Sequence, residues 1–301
     1  MKNFKISVHI PFFVDSNFKK KNLLLNKVCK SYLKLSTKLK IFVHTNKITK
    51  KNSKRIRFIV HSFKNDHPYK LTWKCRKLMY SQRNDYEIFI FGEDDIVFSR
   101  NNLKYWLKYK DKCINQNFNL GFLRVEINKK DKLLYSTDQI SKTKYFIKFD
   151  NKKFAKLENS NCSFWIYDKK EFKKFIKTKY WKFNWKWITI SGILLIREMA
   201  AVGWHGEDMN GQFMNRYKAT IIPIIDNKPD KNSFINHISN KYANDPAGLF
   251  GTIKIKNLIT NNLKKFKEKK ITHQIVLRLK FYIYYIVRLN LKNFFKFFKK
   301  T

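Results

Sequence analysis

Four short apolar runs alternate with helical patterns over the first hundred residues, and that alternation restricts the fold more than any other feature of the chain. Lys5 to Phe13 (KISVHIPFF) reads as a buried strand, and Asn17 to Leu39 as a helix with Leu23, Leu24, Val28, Leu33 and Leu35 available for a core face. Lys40 to Val43 and Ile56 to Val60 read as two more strands. Pro68 suits a helix start, Leu71 to Ser81 reads as that helix, and Tyr86 to Phe91 (YEIFIF) as a fourth strand. Strands separated by helices build a largely parallel sheet with helices on its faces, and ligands then sit at the carboxyl ends of the strands. Those ends are polar here: His9 lies near the first, Thr45 and Asn46 follow the second, and Glu93, Asp94 and Asp95 follow the fourth.

Past residue 100 the pattern is mixed. A helix is expected from about Asn101 to Lys112, strands at Leu120 to Ile127 and Tyr145 to Phe149, and a strand then a helix over Ser163 to Lys177. Tyr180, Trp181, Trp185 and Trp187 fall within eight residues, and a last globular piece reaches about Phe250. From Lys254 to Thr301 the chain holds 14 Lys and Arg against one acid, Glu268, among Leu, Ile, Phe and Tyr. This divides it into a domain at 1–250, in two halves at 1–125 and 126–250, and a basic aromatic helical tail at 251–301.

With 65 Lys and Arg against 22 Asp and Glu in 301 residues, the net charge is +43, a balance that favours polyanionic partners. Asn, Ile and Phe, which share A+T-rich codons with Lys, are also abundant, so only basic residues that cluster carry functional weight. At 44% hydrophobic and 17% aromatic residues, a disordered or collagen-like chain is excluded. Cys29, Cys75, Cys113 and Cys162 form no CxxC pair and no zinc spacing, and are read as reduced thiols of a cytosolic protein. No uncharged run of about 18 apolar residues is present, so no ordinary transmembrane helix is expected.

The most informative stretch is Tyr86 to Ser99, YEIFIFGEDDIVFS. Three consecutive carboxylates between two apolar runs repel one another and resist burial unless a cation neutralises them. Oxygen ligands of this kind suit Mg²⁺ or Mn²⁺, ions that keep positions open for substrate phosphates. The segment resembles the DxD-type motif of the nucleotide-sugar-dependent glycosyltransferases with the GT-A fold. Glu93-Asp94-Asp95, followed by Ile96 and the aromatic helix Leu103-Lys104-Tyr105-Trp106, is similar to the EDD form in the N-acetylglucosaminyltransferase that initiates complex N-glycans. The resemblance covers roughly residues 1 to 125. It implies Asp95 as ligand to a metal on the donor diphosphate, with Glu93 and Asp94 supporting.

A second segment, Gly203-Trp204-His205-Gly206-Glu207-Asp208, looks like the WGGED motif of the β-1,4-galactosyltransferases, with His205 in place of a glycine. The resemblance implies Asp208 as the base that takes the acceptor hydroxyl's proton, Glu207 as second choice, and Trp204 against the sugars. His237, within Ile235 to Tyr242, is a candidate further metal ligand, because imidazole suits Mn²⁺ more than Mg²⁺. Arg76, on the helix before the acidic motif, offers a planar fork for the donor's phosphate or ribose, and His9 is a further candidate on the donor side. Trp185 and Trp187 offer flat surfaces for an acceptor pyranose.

The expectation is an α/β protein, GT-A-like and Rossmann-related, with a mostly parallel central sheet, flanking helices and a basic amphipathic C-terminal helical tail. It would transfer a hexosyl or N-acetylhexosaminyl group from a nucleotide-sugar to a glycan or lipid-linked acceptor with Mn²⁺ or Mg²⁺. In the tail, Arg288, Lys292, Lys296 and Lys299 form one helical stripe, expected to lie on an anionic membrane surface at the cytoplasmic face. A metal-dependent nuclease or phosphotransferase is the enzyme alternative, disfavoured by the scarcity of acids. A nucleic-acid-binding module is disfavoured because no recognition motif is present.

Overall fold

The structure is a computed structural model that describes residues 3–64, 66–182, 196–203, 218–245, 247–248 and 250–267. The first part of the chain runs β1 (Ile6–Phe12), α1 (Phe18–Leu33), β2 (Lys40–Thr45), β3 (Ile56–Val60), α2 (Leu71–Ser81), β4 (Ile88–Gly92), β5 (Ile96–Val97) and α3 (Arg100–Asn115). There follow β6 (Asn119–Leu120), β7 (Leu123–Ile127), β8 (Leu134–Ser136), β9 (Thr143–Phe149), β10 (Lys152–Lys156), β11 (Phe164–Asp168), α4 (Lys169–Phe175) and α5 (Ile196–Val202). The described chain closes with β12 (Thr220–Ile225), β13 (Lys228–Pro229), β14 (Phe234–His237), β15 (Ile253–Lys254) and β16 (Ile259–Lys265).

The first sheet has the order β11-β4-β1-β2-β3, with β4, β1, β2 and β3 parallel, as the alternation requires. Alternate residues of β1 divide its faces. Ile6, Val8, Ile10 and Phe12 pack with Leu25, Val28 and Tyr32 of α1. On the other face Phe42, Phe89 and Phe91 meet Cys75 and Met79 of α2. Each aliphatic side chain buried this fully contributes roughly 1.5–3 kcal/mol, so the two helices are fixed by the strands' own pattern.

β11 comes from beyond residue 126, yet it runs antiparallel to β4, with Phe164 opposite Gly92 and Asp168 opposite Ile88. The two halves expected at 1–125 and 126–250 therefore share one sheet and one core, which also takes in Phe122, Phe154, Ile221 and Ile235. A second sheet has the order β13-β12-β10-β9-β16, with β6 beside β12, and a third the order β15-β8-β7-β14-β5.

The boundary expected at residue 250 is also corrected. Instead of opening a helical tail, Ile253–Lys254 and Ile259–Lys265 add strands to the third and second sheets. Ile255 and Leu258 are buried with Leu123, Val125, Leu157 and Ile222, which holds the chain in the fold to Phe266. The basic stripe from Arg288 to Lys299 lies outside the described residues. Among the described residues no helix is long and apolar enough to cross a membrane.

Candidate functional site

β4 is buried throughout and ends at Gly92, where an added Cβ would meet the Tyr32 hydroxyl at 2.8 Å and the Phe164 ring at 3.3 Å. Glycine lets those two aromatic residues close beneath the turn. The chain then leaves the first sheet through Glu93, Asp94 and Asp95 and enters the third at β5. Backbone hydrogen bonds hold both ends of the triplet: Glu93 N donates to Ser163 O at 3.3 Å, and Ile238 N donates to Asp95 O at 2.9 Å.

The antiparallel pairing of β14 with β5 sets Ile96 opposite His237, which brings the imidazole to the acidic turn. His237 Nε2 lies 2.9 Å from Asp95 Oδ2, and its Nδ1 is bonded to Glu126 Oε1. Glu126 is itself 1% exposed and accepts backbone hydrogen bonds from Lys241 N at 3.1 Å and Ala243 N at 2.6 Å. The relay Asp95, His237, Glu126 thus ends on a carboxylate held by the backbone. The Tyr242 ring stacks on His237 at 5.4 Å between centroids.

Glu126 comes from β7, and so does Arg124. In LRVEI the two charged residues stand two apart, so they share one face of the strand. Arg124 Nη2 and Nε meet the Asp138 carboxylate at 2.5 and 2.9 Å, Nη1 donates to Ser163 Oγ at 2.9 Å, and Nη1 lies 3.8 Å from Glu93 Oε2. One strand thereby supports both ends of the acidic triplet. Sequence reasoning missed this pair. Its signal was two opposite charges at i and i+2 inside an otherwise apolar strand, a combination that burial permits only if both are paired.

Burial raises the Glu93 carboxyl and the neighbouring Asp95 charge raises it further, against Arg124. Asp94 is pushed up to about 8 by burial and by the charges of Asp95 and Glu93. Asp95 behaves oppositely: burial would raise it, but the hydrogen bond and charge of His237 hold it well below the usual carboxylate range. His237 is raised in turn, since its bonds to Asp95 and Glu126 outweigh burial. Ionisation of Glu93 and Asp94 is therefore resisted beside the charged Asp95, a cost that an added cation would relieve.

Two observations bear on whether Mg²⁺ or Mn²⁺ fits. Asp95 Oδ1 is buried and accepts no hydrogen bond from the described residues, an orphaned anionic oxygen among them. His237 has the usual backing of a metal-bound imidazole, a carboxylate on its second nitrogen. Among the described residues no three His, Cys, Asp or Glu side chains form a metal cage. Hard ions of this class are commonly held by one or two carboxylates together with water and substrate phosphates, and Asp95 supplies that share; His237 could add a ligand only by giving up its Nε2 contact with Asp95.

Of the other expected residues, Arg76 and His9 are set apart from this turn. Arg76 is 5% exposed: Nη1 donates to Tyr180 O at 2.7 Å and Trp181 O at 2.6 Å, and Nη2 to Ala200 O at 3.3 Å, while the guanidinium lies over Trp73. The expectation of a phosphate contact there is corrected to that of a structural arginine, because its fork is filled by backbone carbonyls. His9 is fully buried in mid-strand. Its Nε2 meets Ser7 Oγ at 2.7 Å, its Nδ1 meets His44 Nε2 at 2.9 Å, and His44 Nδ1 meets His61 Nε2 at 2.8 Å. Both nitrogens of His9 serve this histidine chain, so its donor-side expectation is corrected as well. Trp185, Trp187, Trp204, Glu207 and Asp208 lie outside the described residues.

One cation not foreseen stands near the site. Arg197 on α5 is part-exposed, packs over the Tyr69 ring at 5.3 Å, and is stabilised first by the charge of Glu93 against the cost of burial. Lys21 and Lys241 add positive charge toward Asp94 and Asp95.

No family model matches the chain, and no curated protein matches it. Among solved structures it is similar to S. aureus TarS residues 1–349, at 12% identity and a TM-score of 0.39 over 77% of this chain and 60% of that one. The same TarS region in complex with UDP-GlcNAc gives 14% and 0.34 over 56% and 47%. The bifunctional IspDF from Campylobacter jejuni gives 17% and 0.31 over 58% and 44%. The chain thus spans less than two thirds of each, and likenesses this loose carry no functional argument.

Proposed function

We propose that this protein is a nucleotide-sugar-dependent glycosyltransferase of GT-A type whose donor site is the turn Glu93-Asp94-Asp95. The observation that carries the reading is the Asp95 oxygen left without a partner among the described residues, beside a carboxylate-backed imidazole at the carboxyl end of a central parallel strand. Asp95 would hold a divalent cation, Mn²⁺ or Mg²⁺, and His237 would join it once its Nε2 exchanged Asp95 for the ion. When bound, that ion supplies charge neutralisation for the departing diphosphate.

The chain's own residues do the rest. Glu126 fixes the His237 ring, and Arg124 fixes Glu93 so that it can meet the donor's ribose. Arg197, Lys21 and Lys241 contribute positive charge where the diphosphate's negative charge builds. Asp208 takes the proton from the acceptor hydroxyl, with Glu207 beside it, and Trp204, Trp185 and Trp187 stack on the acceptor. Support for these last roles comes from the sequence motif and the tryptophan cluster. The acceptor is a glycan or lipid-linked glycan, the group moved is a hexosyl or N-acetylhexosaminyl unit, and the basic tail holds the protein at the cytoplasmic face of a membrane.

A thermal-shift screen of nucleotide-sugars, with and without Mn²⁺, against single-stranded DNA tests the reading. An upward shift given by a nucleotide-sugar only in the presence of Mn²⁺ supports it, and stabilisation by DNA alone overturns it.

A further inference from the structure

Between Asp15 and Asp66 the chain contains no acidic residue and 15 Lys and Arg. Codon bias explains abundant lysine. It does not explain fifty residues without an acid, where 22 acids spread evenly over 301 residues would place three or four. The fold gathers much of this charge on one surface. At 100° per residue, Lys19, Lys20, Leu23, Lys27, Lys30 and Lys34 share the outer face of α1, opposite the buried Leu25, Val28, Cys29 and Tyr32.

Two large aliphatic side chains stand out on the same surface. Leu23 is 64% exposed, and Ile48, in the loop between β2 and β3, is 70% exposed. Lys50 Nζ donates to Asn26 Oδ1 at 2.6 Å and ties that loop to the middle of α1, with exposed Lys47 and Lys51 flanking Ile48. Beside the C-terminal half of α1 an open groove of about 600 Å³ is lined by Lys27, Lys30, Ser31, Lys34, Ser99 and Arg100. The Arg100 guanidinium is fixed there by Lys34 O, which accepts from Nε at 3.2 Å and Nη2 at 2.7 Å.

We infer that this face, α1 with the β2–β3 loop, docks on an anionic phospholipid bilayer: Leu23 and Ile48 enter the headgroup boundary, and the lysines and the groove meet lipid phosphates. The mix of features selects this occupant. Exposed aliphatic side chains within a field of lysines are the composition of interfacial helices, whereas single-stranded nucleic acid is bound on stacking aromatics and bidentate phosphate contacts favour Arg. Of the 15 cations 13 are Lys, and the two exposed apolar side chains here are aliphatic. The surface is distinct from the C-terminal tail.

The test is partition of the full-length chain onto vesicles of phosphatidylglycerol with phosphatidylcholine, against pure phosphatidylcholine, at low and high salt. It needs neither nucleotide-sugar nor Mn²⁺, so its failure would leave the transferase reading standing. Each basic residue near an anionic leaflet contributes roughly a fivefold factor, so Lys27→Glu, Lys30→Glu and Lys34→Glu together lower partition by at least about a hundredfold at low salt. Leu23→Ser with Ile48→Ser lowers it several-fold at both salts. Reversal of Lys170, Lys173 and Lys174 on α4, which packs on the other face of the first sheet, leaves partition within about threefold of the parent. All these changes are on the surface, and thermal melts verify the fold. The inference is overturned if the α1 variant partitions like the parent, if the α4 variant loses as much, or if vesicles are ignored while a single-stranded oligonucleotide is bound through the same lysines.

Discussion

His237 Nε2 sits 2.9 Å from Asp95 Oδ2, and the antiparallel pairing of β14 with β5 is what brings these two distant parts of the chain together. The contact orients the carboxylate by one oxygen and leaves Oδ1 buried without a partner among the described residues. Its quality depends on Glu126, which holds the far side of the ring.

Glu126→Gln should therefore damage the site without touching substrate. An amide offers one oxygen where the carboxylate serves His237 and two backbone N–H groups. Loss of a backing carboxylate typically costs 10–100-fold in metal affinity, so Mn²⁺-dependent nucleotide-sugar affinity should fall by about that factor. Titration calorimetry reads it, and an unchanged affinity would show that the ring needs no backing.

Arg124→Met leaves Asp138 as an uncompensated buried charge, and breaking a buried pair in this way costs roughly 3–5 kcal/mol. Urea unfolding should show a loss of that order. Arg124→Lys should recover little, because an ammonium cannot reproduce the fork that grips Asp138 and Ser163 together. Full recovery by lysine would mean that charge alone matters there.

Arg76→Met separates a structural arginine from a substrate-binding one. It takes the arginine's N–H groups from the carbonyls of Tyr180 and Trp181, while Ala200 O keeps its bond from Trp165 Nε1, at a cost of about 1–3 kcal/mol. The expected result is a lower melting temperature with donor affinity retained in the folded protein. Donor affinity lost at constant stability would restore the phosphate contact expected from sequence.

What was legible in the sequence follows a physical line. β1 to β4 and the acidic turn were readable because each is a local pattern, an apolar run closed by polar residues. The Arg124 and Glu126 pair was not, since their partners arrive through strand pairings that no local periodicity encodes. His9 was misread as lying near a strand end: with the strand expected at Lys5 to Phe13 and found at Ile6–Phe12, position 9 is mid-strand on either reading, inside the sheet. The boundary at 250 failed for a related reason. The stretch from Lys254 is lysine-rich enough to read as a tail, yet Ile255 and Leu258 fill gaps in a core built far upstream.

The histidine chain makes stability depend on pH. Burial lowers His9 to about 3, against a raising hydrogen bond from Gln82, and lowers His44 well below its ordinary value. Unfolded, both titrate near 6.5, so below that pH the unfolded chain binds more protons than the folded one. Stability is then lost as pH falls through about 6.5 and on toward the folded values. At pH 5 each fully buried histidine accounts for about 2 kcal/mol of that loss. Because the raised carboxyls of Glu93 and Asp94 and the raised His237 gain stability over the same range, the decline is read as a difference: urea unfolding at pH 7.5 and pH 5 should show a smaller acid loss for His44→Gln than for the parent, and the same pH dependence in both would contradict the neutral buried chain.

The central claim is that Asp95 anchors a divalent cation on which donor binding depends. Asp95→Asn keeps the side chain's shape and removes its charge, so it is the sharpest single probe. Titration calorimetry of nucleotide-sugar with Mn²⁺ should give binding to the parent that EDTA abolishes, and no metal-dependent binding to Asp95→Asn, whose melting curve remains cooperative. Equal affinity for both proteins, or parental binding that EDTA leaves unchanged, would contradict the account.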